Sequence, residues 1–246
     1  MKLKTKMVGI FIVISMVCGL GCSSNNCLSQ EAEYEVEDVV VQLTGSHDST
    51  LNSSRSATFR MTSIRPNGIA VGTATLFSYK GKQIVVTAAH VVRGATQYFI
   101  ESRYEAGVER RLKLIYYDEV ADIAIMIPTT KIETIKPIKL RTAKSKHMYV
   151  GTKTIYSGYP NNHSMLTIHG RISGFTNSAN LILDTYGWGG ASGSSVFDEK
   201  GRLLGILSAM DVGTGMYGMP RLIPDVIIII PATKIDFTAL DLLLDK

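Results

Sequence analysis

Three polar residues with complementary chemistry occur in order along this chain: His90, Asp122 and Ser192. A serine hydroxyl is a poor nucleophile at neutral pH, and it becomes reactive when a neighbouring imidazole accepts its proton. A carboxylate beside the imidazole orients the ring and stabilises its cationic form. If the fold brings these side chains together, the chemistry they predict is nucleophilic attack on a carbonyl carbon.

Taken singly, each residue also has a plainer interpretation. His90 follows the apolar run Ile84–Val86, and a lone histidine in such a place is usually a packed residue. Asp122 opens the apolar run Ile123–Ile127, where a turn aspartate that caps a strand would look the same. A carboxylate that enters the core needs hydrogen-bond partners, and an imidazole N–H is one such partner.

Ser192 lies in the segment Tyr186–Ser195, which is rich in glycine and serine and would by itself suit an ordinary loop. Clustered glycines relax the limits on φ and ψ, so the backbone can turn two N–H groups toward one point. A developing oxyanion requires such a pair of donors. A turn at Glu199–Gly201 and the apolar run Leu203–Ser208 follow, so the serine loop leads into a hairpin whose second strand can line a substrate pocket.

The elements that would position these residues are short runs of β-branched and aromatic residues separated by turn signals, a pattern typical of an all-β sandwich or barrel. The runs are Thr58–Ile64, Gly72–Tyr79, Gln83–Thr87, Gln97–Ser102, Arg111–Tyr117, Ile123–Ile127, Lys153–Ser157, Ser164–Phe175, Leu181–Asp184, Ser195–Phe197 and Leu203–Ala209. A polar stretch at Pro128–Lys146 indicates a boundary between two β units. Apolar residues at near-helical spacing in Pro231–Lys246 predict a C-terminal helix.

The N-terminus predicts export. Lys2, Lys4 and Lys6 precede an uncharged, mostly apolar run of 14 residues, Val8–Gly21. This run is short for a membrane span, which needs about 20 residues, and it suits a secretory signal peptide over residues 1–21. A permanent anchor helix is the alternative, whereas a buried core helix is disfavoured because the polar segment Ser23–Asn26 follows at once.

Cys22 adds a second interpretation of this segment. Leu20–Ser23 resembles a bacterial lipoprotein processing site, in which the cysteine becomes the lipid-bearing first residue and attaches the protein to a membrane. The match departs from the pattern at Gly19, where an aliphatic residue is expected. Ordinary signal-peptide cleavage nearby is therefore an equal alternative to lipidation of Cys22.

Composition excludes several classes of function. The chain has 246 residues, 45% hydrophobic and 19% charged, which is a globular balance. Three lysines and no acids lie in residues 1–21, so the formal charge falls from +5 to +2 when that segment leaves. No dense basic patch with interleaved aromatics appears, so we expect no nucleic-acid binding. No cysteine follows Cys27, which excludes an internal disulfide and a thiolate metal site in the globular part.

Residues from about 65 to 235 resemble the trypsin-fold serine peptidases, nearest to the bacterial, disulfide-free HtrA-like group. Four blocks carry the resemblance, and their specificity lies in the combination. The first block is Gly72–Phe77 together with Thr87–Val92, and the second is Ala121–Ile125. The third is Val150–Pro160 together with Gly170–Gly174, and the fourth is Gly190–Ser194.

The resemblance implies an all-β fold of two six-stranded antiparallel β-barrels with the active site in the cleft between them, followed by the C-terminal helix. The expected organisation is a signal peptide at 1–21, a polar tether at 22–55 and the protease domain at 56–246. Within that domain we expect the barrels at about 56–140 and 145–232.

The implied activity is that of an exported serine endopeptidase that hydrolyses peptide bonds through an acyl-enzyme. Ser192 would attack the carbonyl, His90 would act as base and then as acid, and Asp122 would orient His90. The N–H groups of Gly190 and Ser192 would form the oxyanion hole. Neither a metal nor an organic cofactor is implied, the partner is a protein or peptide substrate, and the oligomeric state is not indicated.

Two other functions remain open at this point: a catalytically silent protease-fold binding or scaffold protein, and an esterase that uses the same triad. The order His-Asp-Ser and the strand-rich context favour a peptidase over the α/β-hydrolase order.

Departures from the family pattern narrow the expectation. Ala191 stands where digestive enzymes carry the aspartate that pairs with a newly cut N-terminus, so activation by that route is not expected. Too few residues follow the second barrel for a PDZ module. Tyr186 occupies the position that sets basic specificity in trypsin, which argues against a Lys or Arg preference. We therefore expect an apolar substrate pocket formed by Tyr186, Leu207, Ser208 and Ala209.

Overall fold

The computed structural model describes residues 49–214 and 219–245. Six antiparallel strands close the first barrel in the order β1-β4-β5-β6-β3-β2, because β1 also pairs with β2. The strands are β1 Thr58–Arg65, β2 Gly68–Tyr79, β3 Lys82–Thr87, β4 Gln97–Glu101, β5 Glu109–Asp118 and β6 Ile123–Pro128. The short strand β7, Ile138–Lys139, runs parallel to β2 at the margin of this sheet.

Alternation along β1 shows how the sequence selects the inner face. Phe59, Met61 and Ser63 are fully buried, whereas Arg60 and Thr62 between them are partly exposed. Successive side chains in a strand point to opposite faces, so this period of two places the apolar residues inside the barrel. Arg60 therefore lies on the outer surface of the first barrel.

The second barrel closes in the order β10-β13-β12-β11-β8-β9, with β9 pairing back to β10. Its strands are β8 Lys153–Gly158, β9 Leu166–Phe175, β10 Leu181–Asp184, β11 Ser195–Asp198, β12 Leu203–Thr214 and β13 Pro220–Pro231. Every neighbouring pair is antiparallel. The predicted fold of two six-stranded antiparallel barrels is therefore confirmed.

The C-terminal helix is also confirmed, as α3 at Phe237–Leu244 (α1 and α2 lie earlier in the chain). Asp236 caps it by accepting a hydrogen bond from the N–H of Ala239 at 3.0 Å. Leu240 is fully buried in the core of the first barrel, and Asp241 accepts a hydrogen bond from the hydroxyl of Tyr79. The end of the chain thus returns from the second barrel to pack on the first.

Helix α1, Ser49–Ser56, differs from the tether that the sequence predicted over residues 22–55. Its side chains bond to the second barrel: Ser54 Oγ lies 2.9 Å from Ser157 Oγ, and the Arg55 guanidinium donates to Thr167 Oγ1 at 2.6 Å. The last seven residues of that predicted tether therefore belong to the folded domain, held by hydroxyl and guanidinium contacts and by Leu51, which packs against the hydrophobic core.

The predicted signal peptide at 1–21, the rest of the tether and Cys22 lie outside the described residues. Within the part of the chain that the structure describes, no helix is long and apolar enough to cross a membrane.

Candidate active site

His90 and Asp122 meet at one end of the first barrel. His90 lies in the short helix α2, Ala89–Val92, directly after β3, and Asp122 lies in the turn before β6. The two strands pair, with Thr87 opposite Ala124, so the turn and the helix are neighbours. Asp122 accepts two hydrogen bonds from His90, one from its backbone N–H to Oδ1 and one between Nδ1 and Oδ2, both at 2.8 Å.

The backbone of Asp122 adopts the left-handed conformation, with φ of 51°. Aspartate tolerates this region better than most residues, and non-glycine residues held there often mark functional sites. The conformation turns the carboxylate back toward α2. His90 is thereby fixed through both its backbone and its ring.

A third donor to Asp122 comes from the second barrel. The Ser208 hydroxyl donates to Asp122 Oδ2, the same oxygen that contacts the His90 ring. Burial pushes the pKa of Asp122 upward, but hydrogen bonds from His90 and Ser208 outweigh burial and hold that pKa below its ordinary value. The carboxylate is therefore ionised at neutral pH.

The position of Ser208 results from a β-bulge. The pairing of β12 with β13 shifts register between Leu207 and Ala209, so Ser208 is the extra residue. Ser208, predicted to line the substrate pocket, donates its hydroxyl to Asp122, and its place in the pocket stays a prediction.

The other predicted pocket residues divide into two groups. Leu207 is 2% exposed and packs in the core of the second barrel. The register of β12 turns this side chain inward, and its role in the substrate pocket stays a prediction. Ala209 is exposed, and Tyr186 is 36% exposed with its carbonyl held by the Tyr156 hydroxyl. These two residues lie at the protein surface.

The serine loop offers three hydroxyls, of which one is accessible. Ser194 and Ser195 are 0% and 1% exposed, whereas Ser192 is only half-buried. Because a nucleophile must reach its substrate, burial excludes Ser194 and Ser195 and leaves Ser192.

Thr73 of the first barrel anchors this loop of the second barrel. Its N–H donates to the carbonyl of Ser192 at 2.8 Å, and its hydroxyl donates to the carbonyl of Gly190 at 2.8 Å. The same hydroxyl accepts from the N–H of Tyr159 at 3.1 Å. Sequence reasoning assigned Thr73 no role, although it follows directly on Gly72 in one of the family-like blocks.

Gly72 lies where the histidine helix approaches the serine loop. A Cβ atom at this position would come within 2.8 Å of the Val91 side chain and 3.0 Å of the Ser192 carbonyl oxygen. Only glycine leaves room for both elements. His90 and Ser192 are thus brought to the same end of the cleft, although within residues 49–214 and 219–245 no hydrogen bond joins the Ser192 hydroxyl to the His90 ring.

The orientation of the predicted oxyanion donors follows from the peptide units that carry them. The carbonyl of Gly189 accepts from the N–H of Asn161 at 2.7 Å, and the carbonyl of Ala191 accepts from the N–H of Ser194 at 3.0 Å. In a trans peptide the C=O and N–H groups point in opposite directions. The N–H groups of Gly190 and Ser192 therefore point away from these partners, and in the described part of the chain neither donates to a protein acceptor.

The described ranges, 49–214 and 219–245, contain no group of three or more histidine, cysteine, aspartate or glutamate residues that could hold a metal ion.

Solved structures share this fold. The serine endoprotease from Yersinia pestis has a TM-score of 0.63 at 19% identity, covering 78% of this chain and 65% of that one. The HtrA-type protease AlgW with tripeptide has a TM-score of 0.62 at 20% identity, covering 80% and 62%. The Rv3671c protease from M. tuberculosis, active form, has a TM-score of 0.58 at 18% identity, covering 81% and 84%. The chain thus spans less than two thirds of the length of the first two.

None of the curated proteins matches this sequence. The family model for the trypsin-like peptidase domain matches residues 72–206, which is more than half of the chain and includes His90, Asp122 and Ser192. The chain belongs to the trypsin-like peptidase family and has the fold of the HtrA-type proteases.

Proposed function

We propose that this chain is a serine endopeptidase that hydrolyses peptide bonds through an acyl-enzyme. The observation that carries the proposal is the double hydrogen bond from His90 to Asp122, with both distances at 2.8 Å. The Nδ1 atom that faces the carboxylate carries the proton, so Nε2 is the free acceptor on the other side of the ring. An imidazole held in this tautomer is suited to act as a general base.

The catalytic steps follow from this assignment. His90 Nε2 takes the proton of the Ser192 hydroxyl as Oγ attacks the carbonyl carbon, and Asp122 stabilises the imidazolium that forms. The N–H groups of Gly190 and Ser192 receive the negative charge of the tetrahedral intermediate. His90 then protonates the departing amine, and a water molecule activated by the same imidazole hydrolyses the acyl-enzyme.

The primary specificity that we propose is for small or medium aliphatic side chains. Tyr186 and Ala209 carry no charge and lie at the surface beside the serine loop. A profile of cleaved peptides should show aliphatic residues on the acyl side of the bond. Preference for a charged residue at that position would contradict the assignment.

A fluorophosphonate probe tests the nucleophile directly. The native protein and a Ser194→Ala variant should both be labelled, because Ser194 is fully buried and its hydroxyl takes no part in the chemistry. A Ser192→Ala variant should not be labelled. Labelling that persists in the Ser192→Ala variant would mean that another residue is the nucleophile.

A catalytically silent scaffold is the second candidate, and the missing hydrogen bond between Ser192 and His90 is the observation in its favour. Catalytic hydrogen bonds are often long before substrate binds and tighten in the Michaelis complex. The distance between Ser192 and His90 is therefore compatible with an active enzyme. Absence of labelling in a native protein that unfolds cooperatively would support the scaffold instead.

The proposal of export rests on residues 1–21, and membrane attachment rests on Cys22. The protein would be periplasmic or at the cell surface, with a lipid on Cys22 where the processing site is used. Metabolic labelling with a fatty-acid precursor should mark the native chain and not a Cys22→Ala variant. A native chain that takes up no label would leave ordinary cleavage as the processing route.

A further inference from the structure

A cavity of about 160 Å³ lies on the outer surface of the first barrel, where it faces the turn after β8. Its lining includes two arginines, one histidine and one carboxylate, which are Arg60, Arg103, His163 and Glu101. The ring of Tyr159, which lies between the barrels, also lines the cavity. The geometry points to a subsite for an acidic side chain of the substrate, on the leaving-group side of the cleaved bond. This inference rests on the proposed peptidase function and adds a preference to it.

The position of the cavity follows from the two flanks of the serine loop. On one flank lies β12, where the carbonyl of Leu207 accepts a hydrogen bond from the N–H of Gly193 at 2.8 Å. On the other flank lie Tyr159 and Asn161, which bond to Thr73 and Gly189. A substrate whose acyl part follows β12 must direct its leaving group across the second flank, toward Tyr159.

Arg60 lies immediately beyond that flank. It is the direct partner of Thr73 in the ladder between β1 and β2, and Thr73 holds the carbonyls of Gly190 and Ser192. Its guanidinium lies 5.6 Å from the centroid of the Tyr159 ring. An extended peptide advances about 3.3 Å per residue, so the cavity is within reach of roughly the second to fourth residue after the cleaved bond.

Arg103 is arranged to receive a carboxylate. Arg103 packs over the ring of Tyr104 at 5.5 Å, as Arg60 does over Tyr159, and stacking on an aromatic face limits the freedom of a guanidinium. Across residues 49–214 and 219–245, no carboxylate forms an ion pair with Arg103. Glu101 is turned toward the backbone, since its Oε1 accepts from the N–H of Gly107 at 2.8 Å. A substrate carboxylate can therefore bind the Arg103 fork in bidentate geometry.

Quenched fluorescent peptides test the subsite. The peptides share one acyl sequence and carry Asp, Asn or Lys at each of the four positions after the bond. We expect the Asp peptide to exceed the Asn peptide in kcat/KM by about tenfold at one position, as one charge-assisted contact would give. The advantage should shrink as salt is added, because the cavity is open to solvent.

Variants assign that preference to the cavity. Arg103→Gln should abolish the Asp advantage, and Arg103→Glu should convert it into a preference for Lys. The matched control is Arg171→Gln, an exposed arginine on β9 away from the serine loop, which should leave the preference unchanged. Fluorophosphonate labelling of Arg171→Gln should match that of the native protein, and circular dichroism should show that the Arg103 variants are folded.

Failure of the subsite is distinguishable from failure of the proposed function. Normal labelling and turnover with no Asp preference at any position, or with a preference that survives Arg103→Glu, would overturn the subsite alone. If the protein turns over no peptide, the subsite can still be tested by measuring the binding of the same peptides to Ser192→Ala with fluorescence anisotropy. Tighter binding of the Asp peptide, lost in the Ser192→Ala/Arg103→Glu double variant, supports the cavity, and equal binding of the Asp, Asn and Lys peptides rejects it.

Discussion

At the scale of single residues, Asp122 joins the two barrels at His90. It accepts hydrogen bonds from the His90 backbone, the His90 ring and the Ser208 hydroxyl. The first two donors come from the first barrel, and the third comes from β12 of the second. Loss of the carboxylate should therefore affect both the positioning of His90 and the contact between the barrels.

Replacing Asp122 with asparagine keeps the shape and removes the charge. The amide cannot select the Nδ1–H tautomer of His90, so we expect kcat to fall by roughly 10⁴-fold, as the loss of this carboxylate does in related triads. Steady-state kinetics on a peptide substrate measures the effect, with circular dichroism to show that the variant is folded. A loss of less than about tenfold would contradict the orienting role of Asp122.

The lowered pKa of Asp122 also predicts how stability depends on pH. A carboxyl group whose pKa is lower in the folded than in the unfolded protein stabilises the fold above its ordinary value of 3.8, and this contribution is lost as pH falls through the lower folded value. The difference in unfolding free energy between the native protein and Asp122→Asn should be constant near neutral pH and shrink in strong acid. Urea titrations across this range measure it, and a difference that grows on acidification would contradict the prediction.

At this scale the sequence predicts the His90 and Asp122 pair that the structure brings together, but not the residues that support the pair. His90 and Asp122 could be predicted because each has a distinctive local context. The contacts of Ser208 with Asp122 and of Thr73 with Gly190 join residues 86 and 117 positions apart, and they depend on a bulge and on barrel packing. No local pattern encodes such contacts, which is why Ser208 was assigned to the pocket.

At the scale of elements, short runs of β-branched and aromatic residues between turn signals predicted most strands of both barrels, because such residues suit a pleated, half-buried surface. Helix α1 was missed because it has no apolar stripe and binds through Ser54 and Arg55. Strand β13 lies within the predicted second barrel but is not among the predicted runs. Its unbroken apolar segment Val226–Ile230 shows no alternation that would indicate a strand.

The turn at residues 160–162 is the element that orients the N–H of Gly190, the proposed oxyanion donor. Asn161 has φ of 52°, and its N–H holds the carbonyl of Gly189, which turns the N–H of Gly190 the other way. A β-branched residue is strained in this conformation, whereas glycine adopts it readily. The turn and the serine loop should therefore respond together to substitutions at Asn161.

We expect Asn161→Val to lower kcat by about 10²-fold with little change in KM, which is the typical effect of losing one oxyanion donor. Asn161→Gly is the matched control and should keep most of the activity. The ratio of the two kcat values is the decisive measurement. Equal activity of the valine and glycine variants would show that this turn does not orient the Gly190 peptide.

At the scale of the whole molecule, the two barrels act as one unit because their cores and their polar contacts are continuous. The rings of Phe77 and Phe197, one from each barrel, pack with centroids 6.0 Å apart. On the same strand as Phe77, Thr73 places one buried hydroxyl between Gly190 and Tyr159 of the second barrel. The geometry of the cleft thus depends on contacts that neither barrel makes alone.

Thr73→Val tests this dependence, because valine keeps the shape and removes the hydroxyl. The change leaves the carbonyl of Gly190 and the N–H of Tyr159 without their partner, so we expect a loss of about 1–3 kcal/mol in unfolding free energy. Fluorophosphonate labelling of Ser192 should also slow, since the loop that carries it loses an anchor. Denaturant titration and labelling rates measure the two effects.

Thr75→Val is the control for that experiment. Thr75 lies two residues further along the same strand and is equally buried, but its hydroxyl has no hydrogen-bond partner in the described part of the chain. Removing an unpartnered buried hydroxyl should leave stability unchanged or raise it, and labelling should continue at the native rate. If Thr73→Val and Thr75→Val behaved alike, the hydroxyl of Thr73 would contribute nothing specific to the contact between the barrels, and the serine loop would owe its position to its backbone hydrogen bonds and to apolar packing.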